Sequence, residues 1–331
     1  MGNWKKVLQI VFDILAILIA LASILSVFRN TEWRYLKFLD FPRIQLFFTA
    51  LVGFVLIALI PHKHKLTQYV IMACLIVGLG LNLRYLLPYT IISPKDVPQA
   101  ENISAKDQVF SVFLSNVKMK NNQHQALLDL IKEKEPDLVL LMEVNARWDQ
   151  AVKSLAKDYP YVKKAINEKA YGMALYSKIP WKNAQVHYLN NEHVPSIITE
   201  MELASGKRFT LYNMHPVPPK HFEHLPDNKG QQEKELIKMG RMIKQNQQAC
   251  LVMGDMNDVV WSHVDPLTKT KDLLKDVRVG RGVFPSFHTQ KWYMRWPLDH
   301  IFTTEGFRVK TLERLPSIGS DHFPLYAELV L

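Results

Sequence analysis

Three long apolar runs in the amino-terminal third constrain the fold of this 331-residue chain most: Val7–Phe28, Ile44–Ile60 and Leu66–Leu87. About 20 helical residues, rising roughly 1.5 Å each, cross a hydrocarbon layer of about 30 Å. A cleavable signal peptide has a shorter apolar core and is not followed by two further runs. We therefore predict a membrane domain over residues 1–93, with transmembrane helices at about 7–28, 44–61 and 66–87.

The distribution of charge agrees with membrane insertion better than with nucleic-acid binding. The formal net charge is +10, of which +6 falls in residues 1–100 and +4 in the remainder. With three spans, four basic residues lie on each side: Lys5, Lys6, Lys63 and Lys65 on one, and Arg29, Arg34, Lys37 and Arg43 on the other. The two sides carry equal numbers of basic residues, but the lysines are more densely clustered. This favours a cytoplasmic location for the side that carries the lysines. This predicts a multi-pass protein of the cell membrane with an extracytoplasmic carboxy-terminal domain.

One acidic residue, Asp13, falls inside the first apolar run. Ionisable residues at that depth are often functional in membrane proteins. The alternative is that Asp13 lies two turns into the helix, on the side of Lys6, and extends its carboxylate to the membrane surface.

Strand and helix patterns alternate after a polar, proline-bearing linker at residues 94–106. This alternation indicates a layered α/β domain over residues 107–331. The predicted strands lie at 109–114, 138–142, 171–177, 184–189, 196–203, 207–214, 250–253, 298–303, 307–313 and 324–330. One helix is predicted to follow a cap at Asn121-Asn122, and two more lie at Ala146–Tyr159 and Gln232–Gln247.

Polar side chains occur where these strands begin or end. They are Asn116, Glu143, His215, Asp255, Asn257, Asp299, Asp321 and His322. In α/β folds, ligands bind where strand ends converge, and burying so many polar groups without a purpose is costly. Each motif alone is typical of an ordinary loop, as an Asp-x-Asn sequence often forms an Asx turn. Their joint occurrence predicts one site.

The residue types at these positions suit metal-assisted chemistry. Glu143 and Asp255 offer hard carboxylate oxygens, which favour Mg²⁺ or Mn²⁺ over Zn²⁺. Asn116 and Asn257 offer an acceptor for a metal and donors for phosphoryl oxygens or water. His322 can act as a base, or as an imidazolium beside a developing oxyanion, if a carboxylate such as Asp299 fixes its tautomer.

Seven segments together resemble the endonuclease/exonuclease/phosphatase superfamily, which includes deoxyribonuclease-like nucleases, inositol-polyphosphate phosphatases and neutral sphingomyelinases. They are Phe110–Asn116, Pro136–Val144, Tyr171–Pro180, Phe209–Pro216, Leu251–Asn257, Pro297–Phe302 and Ser320–Pro324. The resemblance covers residues 107–331. It implies a four-layer α/β sandwich of two mixed β-sheets flanked by helices.

The resemblance also implies a role for each polar residue. Glu143 would hold the divalent metal with Asn116 beside it, and His215 would contact the scissile phosphate. Asp255 and Asn257 would position or activate the attacking water.

The two carboxy-terminal motifs would complete the site by the same resemblance. Asp299 would orient His322, and Asp321 would lie at the metal or the water. The general base stays open between Asp255 and His322. The implied metal set is Glu143, Asn116, Asp255 and Asp321, and the implied substrate set is Asn116, Asn257 and His215.

Three spans joined to such a domain resemble VanJ-like membrane phosphatases, which act on undecaprenyl pyrophosphate at the outer face of the bacterial membrane. We therefore predict a membrane-anchored, Mg²⁺- or Mn²⁺-dependent hydrolase of a phosphoester or pyrophosphate in a membrane lipid. A nuclease, a sphingomyelinase-like phosphodiesterase and a non-catalytic binding module are the alternatives. Nucleic acid is the less favoured partner because the +4 charge of the domain is spread among both signs.

Two further segments bear on the substrate. Residues 216–228 are rich in proline and histidine and form either a lid or a long loop. His221 and His224 have helical spacing, but the nearby prolines argue against a metal pair. Residues 287–296 interleave aromatic and basic side chains. They could stack on nucleic-acid bases, lie among lipid headgroups, or pack as a hairpin against the domain.

Overall fold

The computed structural model describes residues 3–331, apart from 30, 32, 61, 63, 105–106, 221, 230–232 and 262–272. The chain divides into two compact units, Met1–Ile92 and Ser93–Leu331. Parts of the predicted 61–65 turn, the linker and the start of the predicted 232–247 helix lie outside the described residues, as does His221.

The amino-terminal unit is helical. Its helices are α1 (Asn3–Leu25), α2 (Arg34–Phe38), α3 (Arg43–Leu59) and α4 (Lys65–Leu86). With their short 3₁₀ extensions, two helical segments are long and apolar enough to cross a membrane, Lys6–Phe28 and Lys65–Tyr89. The middle helix, α3, is also apolar but has only 17 residues.

Small side chains bring the helices of this unit together. Ala16 and Ala20 on α1 pack in one buried cluster with Ala50 on α3. A Cβ atom on Gly78 of α4 would lie 3.1 Å from the Cβ of Ser23, so these two helices approach closely. Such small-residue contacts are typical of helices that pack in lipid. Many large apolar side chains point outward instead, with Ile14 51% and Leu18 53% exposed.

Two acidic residues of the helical unit, Asp13 and Asp40, lie in ion pairs. Asp13 accepts a hydrogen bond of 2.9 Å from Nε2 of His62, so its carboxylate is held by the α3–α4 turn. Asp40 is fully buried and bonds Arg29 at 2.7 Å and the Nε of Arg43 at 2.9 Å. The sequence alone did not identify His62 as the partner of Asp13. His62 is 49 residues away in sequence, so no local sequence pattern indicates this pair.

The carboxy-terminal unit contains two six-stranded mixed sheets. The strands of the first sheet, in spatial order, are β11 (Arg308–Arg314), β12 (Leu325–Val330), β1 (Val109–Asn116), β2 (Leu138–Met142), β4 (Met173–Ser177) and β3 (Tyr161–Ala165). Those of the second are β5 (Trp181–His187), β6 (Ser196–Glu202), β7 (Arg208–Met214), β8 (Cys250–Asp255), β10 (Asp299–Thr303) and β9 (Lys275–Asp276). Only β1–β2 and β7–β8 pair in parallel among the described strands.

The sheets pack face to face, and helices cover their outer faces. Leu140 of β2 and Leu211 of β7 belong to one buried cluster that lies between the sheets. Their neighbours in sequence point the other way. Leu141 packs with helix α5 (His124–Lys134), and Tyr212 packs with helix α7 (Glu233–Asn246). Strands buried on both faces explain the continuous apolar runs, and the predicted α/β sandwich is confirmed.

Some local predictions differ from the structure. The predicted helix 146–159 divides into α6 (Ala146–Ala151) and a 3₁₀ helix at Lys153–Lys157. Asn121 and Asn122 do not cap α5, whose cap position is Gln123. Instead, the amide of Asn121 donates to the carbonyls of Val117 and Ile318. Tertiary contacts here outweigh the local capping preference.

Candidate active site

The two parallel strand pairs deliver their carboxyl ends to the same region. Asn116 ends β1, Glu143 follows β2, and Asp255 ends β8. The Nδ2 amide of Asn116 donates to Oε1 of Glu143 at 3.0 Å and to Oδ2 of Asp255 at 2.9 Å. One amide thus joins the first sheet to the second and holds two carboxylates near each other.

A glycine allows β7 and β8 to meet at this end. Gly254 has φ of +152°, and a Cβ atom there would lie 1.8 Å from the carbonyl oxygen of Met214. Any other residue would force the strands apart. The close approach brings His215, which follows β7, to 3.7 Å from Asp255, measured from Nε2 to Oδ2.

The backbone around Glu143 is strained and braced. Glu143 has φ of +60°, a left-handed conformation that costs of order 1 kcal/mol and is often found at functional sites. Its Oε2 accepts a hydrogen bond of 3.1 Å from the backbone N–H of Met119. Arg147 on α6 in turn donates to the carbonyls of Met119 and Asn121. The loop after β1 therefore positions the Glu143 carboxylate, and Arg147 holds that loop.

Asp299 and His322 form a pair beside Asp255. Asp255 and Asp299 are direct partners in the antiparallel β8–β10 register. Nδ1 of His322 lies 2.7 Å from Oδ2 of Asp299, and its Nε2 lies 3.5 Å from Oδ2 of Asp255. Both ring nitrogens therefore face carboxylates, and all three side chains are buried.

Serine hydroxyls fix the loops that carry this pair. The Ser320 hydroxyl donates to the carbonyl of Asn116 at 2.7 Å and accepts from the His322 N–H at 3.1 Å. The Ser286 hydroxyl accepts from the N–H of Asp299 at 3.1 Å. Buried hydroxyl groups thus tie the carboxy-terminal motif to the end of β1.

Asn257 and Asp321 have different surroundings. The Asn257 N–H donates to Oδ1 of Asp255 at 2.9 Å, and its Nδ2 donates to the carbonyl of Pro216 at 2.9 Å. Asp321 instead bonds Lys118, with 2.9 Å between Nζ and Oδ2. Of the eight predicted site residues, seven thus form one contact network, whereas Asp321 lies beside it in its own ion pair.

The electrostatics follow from burial and from the concentration of carboxylates. Burial raises the pKa of Asp255 and of Glu143, and it lowers the pKa of His215 to about 4, so His215 is neutral. Burial also disfavours a charged His322, but Asp255 and Asp299 outweigh that effect and raise its pKa to about 10. The site therefore combines three carboxyl groups, those of Glu143, Asp255 and Asp299, with one imidazolium, that of His322.

A divalent cation fits this donor set. Asp255 and Asp299 each offer a carboxylate oxygen, and these two atoms lie within 4.8 Å of each other and of a ring nitrogen of His322. Oδ1 of Asp299 is buried without a hydrogen-bond partner in the described part of the chain. Glu143 adds a carboxylate that shares the Asn116 amide with Asp255. Hard oxygen ligands in this number are typical of Mg²⁺ or Mn²⁺ sites.

Tyr171 and Arg147 are site residues that the sequence reasoning missed. The Tyr171 ring centroid lies 5.1 Å from that of His215, and Glu143 and Asp255 add to the burial that raises the pKa of its phenol. The only sequence signal was the position of Tyr171 at the start of a family-like segment. Arg147 gave none, because its role depends on a loop that lies far away in sequence.

Comparison with known proteins agrees with this architecture. A sequence model described as the endonuclease/exonuclease/phosphatase family matches residues 114–322. A structure of D. rerio TDP2 with a single-strand DNA product has 15% identity and a TM-score of 0.54, covering 67% of this chain and 99% of that one. The human nocturnin catalytic domain with a bound sulfate anion has 17% identity and a TM-score of 0.51, covering 72% and 95%.

A third structure is an endonuclease/exonuclease/phosphatase protein from Bacteroides vulgatus, with 18% identity and a TM-score of 0.51, covering 67% of this chain and 98% of that one. No curated protein matches the sequence. At such low identities, the three structures establish a shared fold and nothing further.

Proposed function

Because the chain belongs to the endonuclease/exonuclease/phosphatase family, we propose that it is a membrane-anchored, divalent-metal-dependent phosphohydrolase acting on a phosphorylated membrane lipid. Its general activity, hydrolysis of phosphoester bonds, is that of the family. The observation that carries the proposal is the network of Asn116, Glu143, Asp255, Asp299 and His322 at the strand ends.

Glu143 and Asp255 are the residues that would hold the metal, with Asp299 as a further carboxylate. When bound, such an ion supplies Lewis acidity toward a phosphoryl group. The roles of the remaining residues follow from their contacts. The Asn257 N–H fixes Oδ1 of Asp255, and in this scheme the two residues orient the attacking water.

His322 stabilises negative charge in this scheme. Carboxylates at both of its ring nitrogens favour the imidazolium, which donates to a phosphoryl oxygen as charge develops there. His215 is buried and neutral, so it contacts the phosphate through a hydrogen bond and not as a cation. We therefore assign the role of base to Asp255 and that of electrostatic stabiliser to His322.

The helical unit supports a membrane anchor. Each of the two long apolar segments contains an 18-residue apolar stretch, and only 22% of that stretch is buried inside the protein. Large apolar side chains such as Leu66 and Val70 stay exposed, at 76% and 53%. Soluble proteins rarely expose contiguous apolar surface of this kind. A tether raises the effective concentration of a lipid-borne substrate, which favours a polyprenyl pyrophosphate or a related lipid.

A nuclease is the second candidate function. The fold is shared with TDP2, whose structure holds a single-strand DNA product, and the chemistry at phosphorus is the same for either substrate. The anchor and the modest charge of the domain favour the lipid.

The test is a comparison of substrates with the full chain purified in detergent. Polyprenyl pyrophosphate, sphingomyelin and single- and double-stranded DNA are each incubated with Mg²⁺ or Mn²⁺. We expect release of phosphate from the polyprenyl lipid, abolished in His322→Gln. The exposed His193→Gln variant is the matched control and keeps activity. Cleavage of DNA without lipid turnover would overturn the lipid proposal and support the nuclease.

A further inference from the structure

A short aromatic hairpin adjoins the active site. Its arms are joined by hydrogen bonds between Phe287 and Trp296, and by one of 3.1 Å from the His288 N–H to the Met294 carbonyl. The Phe287 and Trp296 rings stack, with centroids 5.9 Å apart and an interplanar angle of 19°. The base of the hairpin is therefore packed, as one of the sequence alternatives expected.

The base is also tied to the loop that carries His322. The Thr289 N–H donates to the Asp321 carbonyl at 2.9 Å, and the Thr289 hydroxyl donates to the Ser320 carbonyl at 2.7 Å. The Phe287 ring centroid lies 5.0 Å from that of His322. The base of the hairpin is thus bonded to the loop that carries His322, and the tip begins one residue beyond that contact.

The tip of the hairpin is different, because it is apolar and exposed. Trp292 is 79% exposed and Tyr293 is 54% exposed, in a short 3₁₀ helix at Trp292–Met294. Their rings meet edge to face, with centroids 6.0 Å apart. Gln290 and Lys291 on the same turn are exposed as well. Exposing two adjacent aromatic side chains to water carries a hydrophobic cost.

We propose that this tip, Gln290–Tyr293, is a membrane-contact element that inserts into the headgroup layer of the bilayer beside the active site. Trp and Tyr are the residues enriched at that layer, because each combines an apolar ring with a polar group that stays wet. The exposed Lys291 complements anionic headgroups. This inference rests on the proposed membrane anchoring, but not on the identity of the substrate.

Base stacking is the competing use of the same side chains. A protein that stacks single-stranded bases combines flat aromatic platforms with a positively charged groove. The edge-to-face pair presents the Trp292 and Tyr293 rings at 88° to each other, and the net charge beyond residue 100 is only +4. A chain that also carries two membrane-length apolar helices favours the bilayer as the partner.

The test places a fluorescent bimane label beside the tip in the full chain. Gln290→Cys is labelled in a Cys74→Ala background, since the other cysteine, Cys250, is buried. Tyr188→Cys is the matched control, because Tyr188 is 55% exposed elsewhere in the same unit. The protein is reconstituted in vesicles of phosphatidylcholine and phosphatidylglycerol with brominated acyl chains, and flotation confirms incorporation.

We expect brominated lipid to quench the label at 290 but not the label at 188. The double variant Trp292→Ser, Tyr293→Ser should lose this quenching yet keep hydrolysis of a soluble phosphoester, which shows that it still folds. Incorporated protein whose label at 290 is quenched only by aqueous iodide would overturn the hairpin proposal alone. Failure of the chain to float with vesicles would overturn the anchoring as well. Protection of the label by single-stranded DNA would assign the tip to nucleic acid and overturn the proposal.

Discussion

The helical unit and the α/β unit both bury carboxylates, but they compensate them differently. In the helical unit, Asp40 lies between Arg29 and Arg43, so two guanidinium groups compensate its negative charge inside the protein. In the α/β unit, Asp255 and Asp299 share a single imidazolium, and Glu143 adds a third carboxylate nearby. The carboxylate of the first arrangement already has cationic partners within the protein. The second sets three carboxyl groups against one imidazolium, which supports the proposal that a cation binds there.

The largest expected effect is on catalysis. Asp255→Asn should lower kcat/KM for phosphoester hydrolysis by about 10³-fold or more, because it removes the carboxylate that orients the water and binds the metal. Its melting temperature without metal should not fall, since the substitution relieves repulsion among carboxylates. Thermal unfolding in EDTA beside the activity assay measures both. Retained activity would remove Asp255 from the mechanism.

The matching substitution in the helical unit should have the opposite profile. Asp40→Asn leaves Arg29 and Arg43 buried without their carboxylate and should destabilise that unit by about 3 kcal/mol. Hydrolysis of a soluble phosphoester should persist, because the two units are separately compact. Unfolding in detergent micelles gives the stability. If Asp40→Asn is as stable as the native chain, the contrast between the units is wrong.

Adding the cation should stabilise only the carboxylate-rich unit. At a Mg²⁺ concentration of 100 times Kd, the expected gain in the free energy of unfolding is about 2.7 kcal/mol. Glu143→Gln should abolish this gain, whereas Asp40→Asn should keep it. The measurement is a thermal melt with and without Mg²⁺. An equal gain in Glu143→Gln and the native chain would exclude Glu143 as a ligand.

Glu235 is a buried carboxylate outside the network of site residues, and it tests the effect of burial on a carboxyl group. It is buried in α7, Oε1 accepts from the Ser196 hydroxyl at 3.1 Å, and burial raises its pKa from 4.5 to about 8. The folded state therefore binds this proton more tightly than the unfolded state. The contribution of Glu235 to the free energy of unfolding should therefore be highest below pH 4.5. It should fall as the pH rises from there to about 8.

Glu235→Gln should remove that loss, so the variant should be more stable than the native chain at alkaline pH. Chemical unfolding between pH 5 and about pH 9 measures the difference. Because the hydrogen bond described for Glu235 goes to Ser196 and not to a site carboxylate, the variant should keep its Mg²⁺-dependent stabilisation. The same pH slope in variant and native chain would show that Glu235 is not the titrating group.

The smallest effect belongs to Arg147, which acts through the loop that binds Glu143. Arg147→Ala should raise the Mg²⁺ concentration for half-maximal activity about tenfold, as for other groups that orient metal ligands. At saturating Mg²⁺, kcat should recover. Arg147→Lys should restore only part of the effect, because an ammonium cannot bond both carbonyls in a planar fork. A fall in kcat with no change in the Mg²⁺ requirement would point to a general loss of structure.

The sequence predicted the parts of this molecule that depend on continuous patterns. The apolar run at 138–142 indicated a strand buried on both faces, and Leu140 and Leu141 do pack on opposite sides of their sheet. Polar residues directly after buried strands indicated one site. They converge because the β1–β2 and β7–β8 pairs are parallel and deliver their ends to one region.

Features that depend on distant partners were not predictable in this way. Strand β3, at Tyr161–Ala165, is half-buried and carries two lysines, so it lacks a clear apolar pattern. Asp13 pairs with His62 only because α1 packs against the end of α3. Asp321 follows a motif of the site, yet its carboxylate bonds Lys118. In each case the decisive contact joins residues that no local rule relates.

The most direct test of the account is a titration of the full chain with Mn²⁺, followed by electron paramagnetic resonance of the free ion. We predict saturable binding to the native chain and to Asp40→Asn, and loss of that binding in both Glu143→Gln and Asp255→Asn. Mn²⁺ binding that survives both site substitutions, or that is absent from the native chain, would contradict the claim that these carboxylates are gathered to hold a cation.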